Sequence, residues 1–110
     1  MDRSKQSNGI SPNVVHSLDS CHLRMTVNLA KENGVTHFAM IHDSFGCHAS
    51  DIPMLSACLR EAFIDLYVAN DPFELFRLQT QELTDTVLPM PPVKGTLDLT
   101  SVRNSEFFFA

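Results

Sequence analysis

The sequence predicts an α+β fold in the order helix, β-hairpin, helix, helix, extended tail. Three patterns carry this expectation. Apolar residues recur at helical spacing between Val14 and Ala30. The apolar run Phe38-Ala39-Met40-Ile41 stops at the polar turn His42-Asp43-Ser44. A second helical stripe then joins Ile52, Leu55, Leu59, Phe63 and Leu66. With 110 residues, 44% of them apolar and 19% charged, the composition is that of one small globular unit.

Residues 1–12 read as a polar lead-in ending at Ser11-Pro12-Asn13, where a proline suits the first turn of a helix. The first helix gathers Val14, Val15, Leu18, Cys21, Met25, Leu29 and Ala30. It should stop at Asn33-Gly34, because glycine takes the left-handed position after a helix without steric cost. A strand from Thr36 to Ile41 follows, then the Asp43 turn and a return strand from Phe45 to Ala49. Ser50-Asp51 offers a helix cap with Pro53 just inside, and the helix runs to about Val68. Asp71 and Glu74 have the spacing of a capping box for a third helix reaching about Leu83. Leu88-Pro89-Met90-Pro91-Pro92 cannot continue a helix, so residues 89–110 form an extended connector and tail, with Leu97-Asp98-Leu99 as one more short strand. Residues 13–88 are the body between lead-in and tail.

Two features look beyond the chain. A lone hairpin makes a poor sheet and needs further strands. Three adjacent phenylalanines, Phe107 to Phe109, need something to cover them. The expectation is that a neighbouring piece is missing and that the chain alone aggregates or forms oligomers.

Charge and composition exclude several classes. A formal charge of −5, from 8 basic and 13 acidic residues, argues against an autonomous nucleic-acid binder. No apolar stretch is long enough to span a bilayer, so no membrane role is expected. The polar N-terminus lacks a signal-peptide core. Three irregularly spaced cysteines, Cys21, Cys47 and Cys58, give no disulfide framework and fit a reducing, cytoplasmic setting.

The chemistry centres on Asp43. A carboxylate carried to the tip of an apolar strand is costly to bury unless paired or metal-bound, and is well placed to grip a divalent cation. The plainer explanation is an ordinary turn, where Asp and Ser are common. His16, Asp19 and His22 fall three apart on the first helix and could line a polar stripe beside the hairpin, or form a solvated face. Cys21, His22, His37, His42, Cys47 and His48 are zinc-capable types but lack the spacing of structural zinc sites. Magnesium, which takes oxygen ligands, suits the acidic turn better. A two-metal site needs carboxylates from separate elements holding ions about 4 Å apart. Asp19 and Asp51 are the nearest candidates, and each has a simpler role on or at a helix, so the expectation is half a site.

The segment Gly9-Ile10-Ser11-Pro12-Asn13-Val14-Val15-His16-Ser17-Leu18-Asp19-Ser20-Cys21-His22-Leu23 resembles a characteristic segment of the T7-like single-subunit RNA polymerases of phages and mitochondria. Phe38-Ala39-Met40-Ile41-His42-Asp43-Ser44-Phe45-Gly46 resembles motif C of their palm, and Lys94-Gly95-x-Leu97-x-Leu99 with the terminal Phe-Phe-Phe-Ala resembles their C-terminus. The three matches are ordered and cover nearly the whole chain.

The resemblance implies a partial polymerase palm over residues 13–88, built around a catalytic hairpin, with a foot-like C-terminal tail. It implies that Asp43 is a catalytic aspartate and a ligand of two Mg2+ ions, and that His42 lies beside the growing RNA end. His16 would contact the minor-groove side of the RNA–DNA hybrid, and Phe109 with Ala110 would form a foot folded back near the active site. The implied reaction is template-directed nucleotidyl transfer from NTPs to an RNA 3′-hydroxyl. DNA template, RNA product and NTPs are then the partners, in the host-cell cytoplasm if the gene is phage-encoded. The family's first catalytic aspartate, its nucleotide-binding fingers helix and its promoter-binding domain have no counterpart here. The expectation is therefore a C-terminal fragment, a truncated gene product or one half of a split polymerase, inactive alone and completed by an upstream fragment. A family A DNA polymerase shares the palm but typically has Glu where Ser44 stands, and reverse transcriptases usually carry two adjacent aspartates at this hairpin. The alternative from another class is a non-catalytic remnant or interaction module, docking on a partner protein through the helix Ile52–Val68.

Overall fold

The computed structural model describes residues 2–109. Its architecture is α+β: α1 (Arg3–Glu32), an antiparallel hairpin of β1 (Ala39–Ile41) and β2 (Ser44–Gly46), α2 (Ile52–Ile64), α3 (Pro72–Gln81), and a tail that contains a 3₁₀ segment, Leu99–Asn104.

Helix α1 begins earlier than its sequence suggests. The Asp2 side chain caps it by accepting from the backbone N–H groups of Ser4 and Lys5. Pro12, expected at the first turn, lies inside the helix, where it lacks the N–H that would bond the carbonyl four residues back. The helix ends as expected. Gly34 has φ +92°, Val35 donates to the Ala30 carbonyl at 3.0 Å and Gly34 to Lys31 at 3.1 Å. This is a Schellman closure, sealed by contact between the buried Ala30 and Val35.

The hairpin pairs Ala39 with Gly46, Met40 with Phe45 and Ile41 with Ser44. It is shorter than the expected strands: Thr36–Phe38 and Cys47–Ala49 lie outside the ladder. Alternation puts Phe38, Met40, Phe45 and Cys47 against the core of Ala30, Val35, Leu55, Cys58 and Leu59. Gly46 is needed for close approach, since a Cβ there would lie 3.2 Å from the Ala39 carbonyl oxygen.

A 3₁₀ turn, Ala49–Asp51, leads into α2, and Pro53 sits at its start as expected. Asp51 occupies the cap position without making the capping bond; its carboxylate accepts from Ser50 Oγ at 3.2 Å. Beyond Ile64 the coil widens into a π-helical turn, Asp65–Ala69, so helical structure reaches the expected end near Val68. Helix α3 is capped by Asp71, which accepts from the Glu74 N–H at 3.3 Å. Only half of the capping box forms, because Glu74 turns forward to Arg77 at 2.6 Å.

Leu97-Asp98-Leu99 is not a strand. Asp98 caps the 3₁₀ segment through the Thr100 N–H at 2.9 Å, a local bond that competes with sheet pairing. The tail is strapped to α2. Arg103 and Glu61 pair at 2.7 and 2.8 Å, and the Arg60 guanidinium donates to the Val102 and Ser105 carbonyls while lying over the Phe108 ring. Among the described residues no helix is long and apolar enough to cross a membrane.

Candidate functional site: a cleft between the first helix and the hairpin turn

Two elements build the site. The turn between β1 and β2 has two central residues, His42 and Asp43, and His42 adopts φ +53°. A left-handed histidine is uncommon and stores backbone strain at the hairpin tip. It holds both side chains out of the ladder, where they are exposed. Facing them, α1 presents His16, Asp19, Ser20 and Leu23. Together with His42 and Asp43 these residues line a cleft of about 400 Å³.

His16, His42 and Asp43, the three sequence-predicted residues of the chemistry, therefore share one cleft. Asp19, which the sequence offered both as part of a stripe beside the hairpin and as a candidate partner carboxylate, lines it too. Its signal was the spacing of one helical turn from His16. Ser20 and Leu23 carried no signal of their own. None of the ion pairs among the described residues engages Asp43 or Asp19. Asp51 lies at the start of α2 and is not part of this lining.

His22 leaves the expected stripe. It is buried, and its Nε2–H donates to the Leu59 carbonyl at 2.9 Å. Phe45, Phe63 and Phe109 surround its ring at 5.8–6.0 Å. Positions 16 and 22 face differently because six residues are 600° of helix, or 240° of rotation. His22 is a packing residue that joins α1, β2, α2 and the tail.

The tail reaches the back of the same hairpin. Phe109 packs edge-on against Phe45 at 5.4 Å, and Phe108 against Phe63 at 5.2 Å. Phe45 lies two residues after Asp43, so the tail buttresses the strand that leaves the Asp43 turn. Phe107 is left 76% exposed, so the chain covers two of its three terminal phenylalanines only in part. Ala110 lies outside the described residues.

Electrostatics narrow the chemistry. Burial pushes the Tyr67 hydroxyl up, helped by the Asp19 carboxylate and Cys21. Burial also raises the Cys58 thiol, and burial with Asp51 raises the Cys47 thiol. Neither cysteine is poised as a thiolate nucleophile, and all three cysteines are free. Among the described residues no three His, Cys, Asp or Glu side chains cluster closely enough to enclose a metal. The carboxylate oxygens of Asp43 and Asp19 are the donor type that magnesium takes, and magnesium commonly uses one or two protein carboxylates with substrate phosphates completing its shell. The donor chemistry fits that ion as a partial set.

A larger groove of about 690 Å³ runs between Tyr67, the start of α3 and residues Met90–Leu99. Lys94 and Asp71 pair across it at 2.8 Å, and it lies apart from the His–Asp turn.

Comparison with known proteins agrees with the motifs. A family model described as DNA-dependent RNA polymerase matches residues 1–82. T7 RNA polymerase of Escherichia phage T7 is 42% identical over 115 residues, covering 100% of this chain and 13% of the phage protein. The DNA-directed RNA polymerase of Enterobacteria phage T3 is 44% identical over the same shares of both chains. DNA-directed RNA polymerase 1A of Nicotiana tabacum is 40% identical over 96% of this chain and 67% of its own length. This chain thus spans a small part of the phage relatives. It belongs to the phage-type DNA-dependent RNA polymerase family.

Proposed function

We propose that the chain supplies the motif C part of a polymerase palm and acts in template-directed RNA synthesis, with Asp43 as a magnesium ligand. The observation that carries this reading is the cleft that joins His16 and Asp19 of α1 to His42 and Asp43 of the turn. Asp43 would hold a magnesium pair, which would supply activation of the attacking 3′-hydroxyl and stabilisation of the leaving oxygens. Asp43 holds its carboxylate at the tip of a braced hairpin, free of ion pairs among the described residues. His42 precedes it in a fixed, left-handed backbone and flanks the RNA end. His16 reaches the minor-groove side of the hybrid from α1. The Phe109 ring behind Phe45 fixes the strand from the rear, the role of a foot. DNA template, RNA product, NTPs and the remainder of a polymerase are the partners. Ser44 after His-Asp favours this reading over a family A DNA polymerase.

The test is a chimera in which this chain replaces the matching segment of the phage T7 relative. Template-dependent RNA synthesis that requires Mg2+ supports the reading. A correctly folded chimera with no synthesis would favour the non-catalytic interaction module.

A further inference from the structure

We propose that His37 and His48 form a second cation site, a two-imidazole clamp for a borderline divalent transition metal of the zinc class. The hairpin register leads to it. Outward from Ala39 opposite Gly46 come Phe38 and Cys47, which face the core. The next pair outward is His37 and His48, on the opposite, solvent side of the strands. Their rings are 4.8 Å apart between centroids, at an interplanar angle of 61°.

That spacing is close to what a shared ion requires. With Zn–N bonds of about 2 Å and a near-tetrahedral angle between them, the centres of two zinc-bound imidazoles lie about 5 Å apart. The pair is also oriented from behind. Thr36 Oγ1 lies 2.9 Å from His37 Nδ1, so the tautomer that donates Nδ1–H to this oxygen leaves Nε2 free to ligate. The backbone of His48 is fixed because its carbonyl accepts from the Asp51 N–H at 2.9 Å. Neither histidine lines the cleft of His16, Asp19, His42 and Asp43.

The chain contributes two ligands and water completes the shell, in keeping with the absence of any enclosed three-ligand cluster among the described residues. The site is therefore open and water-completed rather than an enclosed structural one. Imidazole nitrogen discriminates against magnesium, which prefers oxygen, so the two cations sort to different ends of the hairpin. A bound ion would cross-link the base of the strands whose far end presents Asp43.

The test is titration of the full chain with Zn2+ in excess Mg2+, against a chromophoric zinc indicator. Thermal unfolding is followed with and without Zn2+. One Zn2+ per chain is expected. His37→Asn and His48→Asn should each weaken it by about tenfold or more and abolish the zinc-dependent rise in Tm. A Cys21→Ser, Cys47→Ser double variant should bind as the parent does. Circular dichroism verifies that each variant is folded. Binding that survives both histidine substitutions, or that is lost instead in His42→Asn or in the cysteine variant, overturns the proposal.

Discussion

His16 and His22 share a helix and a residue type, yet their surroundings assign them opposite duties. His16 is exposed in the cleft, whereas His22 is 7% exposed and bonded to the Leu59 carbonyl. His22→Ala removes a ring from an aromatic cluster and one buried hydrogen bond, which should cost about 3 kcal/mol. His16→Ala should change stability by less than about 0.5 kcal/mol, as exposed positions do. Urea unfolding of the two variants separates these roles. Thr26 marks a different residue-scale feature. It is fully buried and its hydroxyl has no hydrogen-bond partner among the described residues. Thr26→Val keeps the shape and removes the unpaired group, so unfolding should show a gain of about 1 kcal/mol. The turn residues could be read from sequence because apolar strand, polar turn and glycine return are all local signals. His22 and Thr26 could not. They occupy the centre of the buried face of α1, where apolar side chains are the ordinary choice, and only the packing of α2 and the tail reveals it.

At the scale of elements, local chemistry was decisive where it was strong. Gly34 ends α1, Pro53 opens α2 and Asp71 caps α3, all at their expected positions. It misled where tertiary context took over. Pro12 lies within α1 because Asp2 caps the helix upstream, and Asp98 turns the expected last strand into a 3₁₀ segment. The strap from tail to α2 had no sequence signature, because Glu61 and Arg103 are 42 residues apart. It carries a pH dependence. The Arg103 hydrogen bond holds the Glu61 carboxyl below its ordinary value of 4.5. A carboxyl depressed in the folded state binds protons more weakly there than in the unfolded chain. Its contribution is therefore complete above pH 4.5 and is lost as pH falls through the depressed value. Glu61→Gln should lower stability by about 0.5 kcal/mol at neutral pH, the scale of an exposed pair. Its Tm deficit should shrink on acidification; a deficit independent of pH would mean the pair does not act electrostatically.

The whole molecule is elongated. Its radius of gyration is 16.8 Å, with extents of 51 × 33 × 23 Å. A compact domain of this length would have a radius near 13 Å. Large apolar side chains stay exposed on both α1 and α3, among them Ile10, Val15, Phe73 and Phe76. Such surface is normally covered. The chain alone should therefore self-associate in sedimentation velocity, with mean size rising with concentration, whereas Phe73→Ser with Phe76→Ser should shift it toward monomer. A monomer at all concentrations would show that the exposed faces need no cover. The same shape fits a segment that packs within a larger polymerase.

The most direct measurement of the central claim is RNA synthesis by that chimeric polymerase carrying Asp43→Ala, beside Asp51→Ala as a carboxylate outside the cleft. Asp43→Ala should lower synthesis by about a thousandfold or more, equivalent to about 4 kcal/mol of transition-state stabilisation, with thermal unfolding unchanged. Asp51→Ala should retain most of the activity. Synthesis by the Asp43→Ala chimera near the parental rate would contradict the assignment of Asp43 as a metal ligand, and with it the catalytic reading of the cleft.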